Sequence, residues 1–312
     1  MLPPHQRLVP RAHALAGWVR SLPVCWLTLL LSASIAGAQH SAEPAGTPTD
    51  QSELEARVNQ AYALFDSGEP KRALETFQQV LEDHADYLPA RLGQAVTYAE
   101  QQNHTEAFRA FDLVVRANPD HIFAWNGRGL AAFNLENFDE ARNSFEQATR
   151  NKPVNGFYYE SLAWTYLCLG DYQNARKAAK TATLMYNQKG ESSAYPLLIA
   201  YFSSLESAAD DDARRTLEYA LANQPPQKAW PHPVFEYLAG HLDGPELISF
   251  VQDSAQETEA HTYIGLQLRA TGESSRAARH LQWVAEHGDH RVFEFTLART
   301  LNAETKVAAL DH

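Results

Sequence analysis

Residues 122–155 read IFAWNGRGLAAFNLENFDEARNSFEQATRNKPVN. The spacing inside this stretch recurs on both sides of it. Identical residues stand 34 positions apart along the chain: Ala107, Ala141 and Ala175; Phe111 and Phe145; Pro119 and Pro153. A fixed period of this length is typical of stacked repeats, in which each unit buries its apolar face only against its neighbours.

The register of this pattern predicts six units of two antiparallel helices each. Small residues at the eighth and twentieth positions, such as Gly129 and Ala141, allow the two helices to pack closely. The aromatic residue at position 24 fills the space between units, and a proline such as Pro153 ends the second helix. In the fifth unit Ala208 and Ala209 replace the glycine of the turn. The units span 54–87, 88–121, 122–155, 156–189, 194–227 and 258–291.

The pattern resembles the tetratricopeptide repeat, whose period is 34 residues with the signature W-x2-L-G-x2-Y, A-x3-F and P. Trp125, Gly129, Ala141, Phe145 and Pro153 stand in register with it. The resemblance implies an all-α fold, a right-handed superhelix of tetratricopeptide helix-turn-helix repeats with a C-terminal helical module. It also implies binding of a peptide or protein in a concave groove.

The first 38 residues are typical of an export signal. They contain three arginines and no acidic residue, then an apolar run from Val24 to Leu31, then small residues ending at Ala38. A basic start, a short apolar stretch and a small-residue site describe a secretory signal peptide. The run is too short to span a membrane, which takes about 20 apolar residues. We predict cleavage near Ala38 and a periplasmic mature chain, with a retained N-terminal anchor as the alternative.

The rest of the chain divides by composition and pattern. Residues 39–52 are small, polar and proline-containing, which predicts a flexible linker. Ser52 and Glu55 have the spacing of a capping box at the start of a helix. Residues 53–227 hold repeats 1–5, and residues 228–312 form a C-terminal helical module with the sixth repeat-like unit and a closing helix.

The charge balance excludes one class of partner. The chain has 26 basic and 38 acidic residues, a net charge of -12, and beyond residue 38 the balance is 23 against 38. Affinity for nucleic acid depends on clustered Lys and Arg, so we expect no nucleic-acid binding. No later segment is apolar enough to cross a bilayer.

Few residues suggest catalysis or a cofactor. His287 and His290 form the closest histidine pair, but no HExxH or Cys-x2-Cys pattern accompanies them. Cys168 lies between Leu167 and Leu169, where a packed apolar thiol is expected. No Walker A, G-x-S-x-G or G-x-G-x-x-G sequence is present. We therefore expect no enzymatic activity, no metal and no cofactor.

The predicted binding residues come from the repeat register. In this family, defined positions of each first helix face the concave side, and here they are rich in aromatic residues without Lys or Arg. Such a groove suits a peptide with apolar side chains. The alternative is that a tight superhelix, or the C-terminal module, already covers these side chains. The candidate groove residues are Tyr62, Phe65, Phe123, Asn126, Phe133, Asn134, Trp164, Tyr195 and Phe202.

The C-terminal half has a narrower resemblance. Trp230-Pro231, then Tyr237-Leu238 before Gly240, then Glu259 before Tyr263 and Gly265 follow one another in an order that is similar to the NlpI type of bacterial envelope lipoprotein. This resemblance implies a periplasmic adaptor that brings proteases or peptidoglycan hydrolases to their substrates, often as a homodimer. The lipid-attachment cysteine of that type is missing here, which leaves membrane anchoring open.

The sequence therefore predicts an exported, non-enzymatic scaffold that binds proteins or peptides of the cell envelope. The alternative is a structural component of an envelope assembly, such as an outer-membrane or pilus complex. The two differ in how partners are held: transient capture for the scaffold, and stable association in a large particle for the structural component.

Overall fold

The computed structural model describes residues 48–150, 155–223 and 229–310. That part of the chain contains fifteen α-helices and no β-strand, so the expected all-α class is confirmed. The predicted signal peptide, residues 1–38, lies outside the described residues. The chain divides into two compact units, one ending at Leu135 and the other beginning at Glu136. The boundary that we predict between residues 227 and 228 lies within the second unit.

The first unit consists of five described helices, each packed against the next. They are α1 (Pro48–Asp66), α2 (Pro70–Asp83), α3 (Leu88–Glu100), α4 (His104–Ala117) and α5 (Ile122–Asn134). The first helices of successive repeats also touch, because α1 contacts α3 and α3 contacts α5. Contact between alternate helices is what stacked helical pairs require.

The second unit contains the other ten described helices. The repeats continue in α6 (Phe138–Arg150), α7 (Gly156–Cys168), α8 (Tyr172–Lys189), α9 (Ala194–Glu206) and α10 (Asp210–Asn223). The C-terminal module supplies α11 (His232–Leu238), α12 (Gly244–Ile248), α13 (Ser254–Ala270), α14 (Ser274–His287) and α15 (Phe293–Leu310). Within this unit α13 contacts α9, and α15 contacts α7.

The helix starts follow the repeat register closely. The helices α3, α5, α7 and α9 begin at residues 88, 122, 156 and 194, the first positions of repeats 2 to 5. The first helix differs, since α1 already begins at Pro48. Proline is favoured at the first helical position, where its missing N–H costs nothing. Residues 48–52, which we predict to be linker, are therefore helical, and Ser52 lies inside α1.

Two glycines show why successive helices of the first unit approach so closely. A Cβ atom added to Gly93 would lie 2.3 Å from the ring of Phe77, and one added to Gly127 would lie 2.4 Å from the ring of Phe111. Both phenylalanines occupy position 24 of their repeat, and each packs on the following repeat. The aromatic residue at this position thus fills the space between neighbouring units, as the spacing predicts.

The turn inside each repeat has the same backbone conformation whether or not it contains glycine. The fifteenth residue has a positive φ in all six units, although three of these residues carry a side chain that normally disfavours it. That conformation costs a non-glycine residue about 1–2 kcal/mol, so the surrounding helix pair imposes it. The residues are Gly68, Gln102, Glu136, Gly170, Ala208 and Gly272.

No helix in the described part of the chain is both long enough and apolar enough to span a membrane.

Candidate functional site

The predicted groove residues of the first unit lie on α1 and α5 and are almost all buried. Asn134 is half-buried, whereas the other five are less than a tenth exposed: Tyr62, Phe65, Phe123, Asn126 and Phe133. Tyr62 packs edge-on against Phe77, with ring centroids 5.0 Å apart, and its hydroxyl donates to the Pro89 carbonyl oxygen at 3.1 Å. Burial raises the pKa of Tyr62. Tyr62 therefore takes part in the packing of the repeats.

Asn126 is the exceptional residue of this set. Its side chain is 0% exposed, and neither Oδ1 nor Nδ2 has a hydrogen-bond partner among the described residues. A buried carboxamide left in this state costs about 1–3 kcal/mol. Asn134, two turns further along α5, instead donates from Nδ2 to the Leu130 carbonyl oxygen at 2.8 Å. The two asparagines thus have the same chemistry on one helix but different hydrogen bonding.

The sequence did not indicate a buried charge on the same helix. Arg128 is 8% exposed and its Nε lies 2.9 Å from Asp112 Oδ1 on α4. Its guanidinium also lies over the Phe108 ring, 4.4 Å from the centroid. Stacking and ion pairing both suit arginine's planar cation. The repeat register could not identify Arg128, because its position is not one of those that face the concave side.

In the second unit the predicted groove residues are covered by the C-terminal module. Trp164 on α7 is 1% exposed and stacks on Phe293 of α15, with centroids 6.0 Å apart and ring planes at 4°. Phe157, about two helical turns before Trp164, also contacts Phe293, with ring centroids 6.3 Å apart. Phe293 therefore covers two aromatic side chains of α7, Phe157 and Trp164.

A second set of contacts covers α9. Phe202 stacks on Tyr263 of α13 with centroids 5.7 Å apart and planes at 3°. Tyr195 is half-buried, and its hydroxyl lies 3.0 Å from Glu259 Oε2, which also accepts from Trp230 Nε1 at 2.6 Å. The C-terminal module thus covers the aromatic residues of repeats 4 and 5, which was the alternative to an open groove. Whether any of the nine residues binds a partner stays a prediction.

A small cavity of about 240 Å³ lies beside α11 in the same module. Glu236 accepts hydrogen bonds there from two imidazoles, with His232 Nε2 at 3.1 Å and His241 Nδ1 at 2.6 Å. The hydrogen bond from His241 is the main cause that lowers the pKa of Glu236. The cavity thus has polar and apolar walls, because its other lining residues are Pro233, Leu242 and Phe250.

The histidines singled out in the sequence take part in aromatic contacts. His287 stacks on Trp283 with centroids 5.5 Å apart, and His290 meets Phe295 edge-on at 6.3 Å. Trp283 also stacks on His261, whose pKa is lowered to about 4, chiefly by burial and then by the neighbouring His280. Within the described ranges no three His, Cys, Asp or Glu side chains are grouped so as to hold a metal ion.

The family comparison agrees with the register of the sequence and with the helix pairs. Residues 58–122 and 126–191 match the tetratricopeptide repeat family model. The chain thus contains tetratricopeptide repeats, and its helical fold is of that type. No curated protein matches the sequence.

Solved structures share the fold at low sequence identity. A tetratricopeptide repeat protein from Parabacteroides merdae is 15% identical, with a TM-score of 0.58 over 80% of this chain and 99% of the other. YrrB, a TPR protein with an unusual peptide-binding site, is 18% identical, with a TM-score of 0.51 over 60% of this chain and 91% of its own. MamA is 15% identical, with a TM-score of 0.51 over 54% and 90% of the two chains. At these identities the likeness concerns the fold alone.

Proposed function

We propose that this chain is a non-enzymatic, exported scaffold that binds proteins of the bacterial envelope through its repeats. The repeat fold supports a binding role, since stacked helical pairs create extended concave surfaces. YrrB, which has a similar fold, has a peptide-binding site. The resemblance of the C-terminal half to the NlpI type supports envelope proteases or peptidoglycan hydrolases as the partners.

The unsatisfied carboxamide of Asn126 is the observation that carries this proposal. Native proteins rarely leave a buried polar side chain without a partner, and each exception calls for an explanation, of which a functional role is one. A carboxamide has two donors and an acceptor, which is the complement of a peptide backbone. Because Asn126 is fully buried, a partner reaches it only when this face of α5 opens.

The second unit indicates what chemistry such a partner has. There Trp164 stacks on Phe293 at the N-terminal end of α15, and Phe202 stacks on Tyr263 in the middle of α13. Both contacts come from helices, and helices that dock in grooves do so through a few anchoring side chains. The partner that fits best is therefore an amphipathic helix with phenylalanine or tyrosine anchors.

The substitution Asn126→Leu separates binding from folding. Leucine has the same branching and the same number of side-chain heavy atoms but no hydrogen-bonding group, so the buried desolvation cost disappears. We expect the free energy of unfolding to rise by about 1 kcal/mol, measured by urea denaturation. We expect capture of envelope proteins by the immobilised chain, measured by quantitative mass spectrometry, to fall.

The matched control is Asn223→Leu at the end of α10, an asparagine outside the predicted groove whose Nδ2 donates to the Tyr219 carbonyl oxygen. That variant should capture the same proteins as the wild type. Equal capture by all three chains would remove Asn126 from the binding site. No enrichment from envelope extract over cytosolic extract, even by the wild type, would contradict the scaffold itself.

Export is a separate part of the proposal and has its own test. The basic, acid-free start and the small residues ending at Ala38 support cleavage by a signal peptidase. Intact-mass measurement of the protein from the periplasmic fraction should give a chain that begins at Gln39. A full-length mass in the membrane fraction would instead indicate a retained anchor, and a full-length mass in the cytosol would contradict export.

A further inference from the structure

Two imidazole rings meet between the two helices of the sixth repeat-like unit. His261 lies on α13 and His280 on α14, and their Nδ1 atoms are 3.1 Å apart. Only one hydrogen atom can lie between them, so one Nδ1 atom presents a lone pair to the other ring. Both side chains are half-buried, which leaves the pair accessible to a small ion.

The neighbouring aromatic rings fix the orientation of this pair. Trp283 stacks on His261 with centroids 4.0 Å apart and ring planes at 17°, and His287 stacks on Trp283. The two helices pack against each other, with Leu281 of α14 close to Gly265 of α13. The packing thus keeps the two imidazoles side by side, as two ligands of one site must be.

The distance between the two Nδ1 atoms is close to that of two ligands on one metal ion. Imidazole nitrogens bind zinc at about 2.0–2.1 Å, so two of them at a tetrahedral angle lie about 3.3 Å apart. The rings must also turn so that both lone pairs point to one ion beside the line between the two nitrogens, and this turn would open the 3.1 Å separation. One proton must move from Nδ1 to Nε2 of its ring, which any histidine permits because either nitrogen can carry it.

We propose that His261 and His280 form a two-histidine site for a borderline divalent transition-metal ion. Imidazole ligands suit Cu²⁺ and Zn²⁺, and Cu²⁺ binds nitrogen ligands more tightly. Water completes the coordination, because within the described ranges no third His, Cys, Asp or Glu joins the pair. Arg276 and Arg279 are the positive charges that interact electrostatically with His280, and Arg276 forms an ion pair with Glu273.

The experiment is a Cu²⁺ titration of the purified chain, prepared without a histidine tag and followed by tryptophan fluorescence. Cu²⁺ bound at His261 would quench Trp283, so we expect saturable quenching in the wild type. His261→Ala and His280→Ala should each weaken binding by about 100-fold or more, since the loss of even an outer partner of a ligand costs 10–100-fold. Far-UV circular dichroism verifies that both variants remain folded.

Two further variants make the outcome specific to this site. His84→Ala, an exposed histidine of the first unit, should bind Cu²⁺ like the wild type. Trp283→Phe should lose most of the quenching yet retain binding by calorimetry. The proposal is overturned if quenching does not saturate, if it persists in His261→Ala and His280→Ala, or if His84→Ala removes it equally.

Discussion

Replacing Trp164 with alanine should lower the free energy of unfolding of the second unit by about 3–5 kcal/mol. The ring is 1% exposed and lies flat against Phe293. Its loss removes a large buried apolar area and leaves a cavity that the stacked helices cannot fill. Urea denaturation followed by far-UV circular dichroism measures the change without depending on tryptophan emission.

Leu184→Ala is the control for this change. Leu184 is 55% exposed on α8 of the same unit, and a surface truncation of this kind usually changes stability by less than about 0.5 kcal/mol. Phe293→Ala should cost nearly as much as Trp164→Ala, and the double variant should cost less than the sum because the two rings share one contact. A loss below about 1 kcal/mol for Trp164→Ala would instead show an open groove in solution, because a ring exposed to water loses little on truncation.

Replacing Tyr263 with phenylalanine should cost about 2–3 kcal/mol through the loss of a single hydroxyl group. That hydroxyl donates to Glu294 Oε1 at 2.6 Å, and both side chains are 0% exposed. Hydrogen bonds to carboxylates are about twice as strong as those between neutral groups. Thermal and urea unfolding of the two chains measure the difference.

The double variant Tyr263→Phe/Glu294→Leu tests the cause. If the cost comes from a carboxylate deprived of its donor, replacing that carboxylate with an apolar side chain should recover part of the lost stability. Tyr219→Phe serves as the exposed control, since Tyr219 is 43% exposed and loses a hydroxyl that water readily replaces. Equal effects of Tyr263→Phe and Tyr219→Phe would contradict the importance of the Glu294 contact.

The sequence was sufficient for the fold because the repeat pattern is local. The positions that set helix length, the small residues at the crossings and the aromatic at position 24 all lie within one 34-residue unit. The position of Phe77 and Phe111 between neighbouring units follows from that register, whereas the glycines on which they pack, Gly93 and Gly127, stand at a position that it did not single out. The start of α1 differs from the prediction. The capping-box spacing indicated a start at Ser52, whereas the helix begins at Pro48, where proline favours a first helical position.

The candidate site was less accessible to sequence reasoning because its environment is set by distant residues. The repeat register identified Trp164 and Phe202 correctly as members of the first helices, but Phe293 and Tyr263 cover them from far along the chain. No periodicity links such residues. The unsatisfied carboxamide of Asn126 and the paired rings of His261 and His280 likewise become visible only when neighbouring helices are in place.

The contact between Phe293 and Trp164 has a consequence for competition among ligands. A segment tethered to its own binding face is present there at an effective concentration of about millimolar. A free helix of equal intrinsic affinity at micromolar concentration would therefore occupy this face only about one time in a thousand. Partners in solution are therefore expected to bind at surfaces that the tethered segment does not cover.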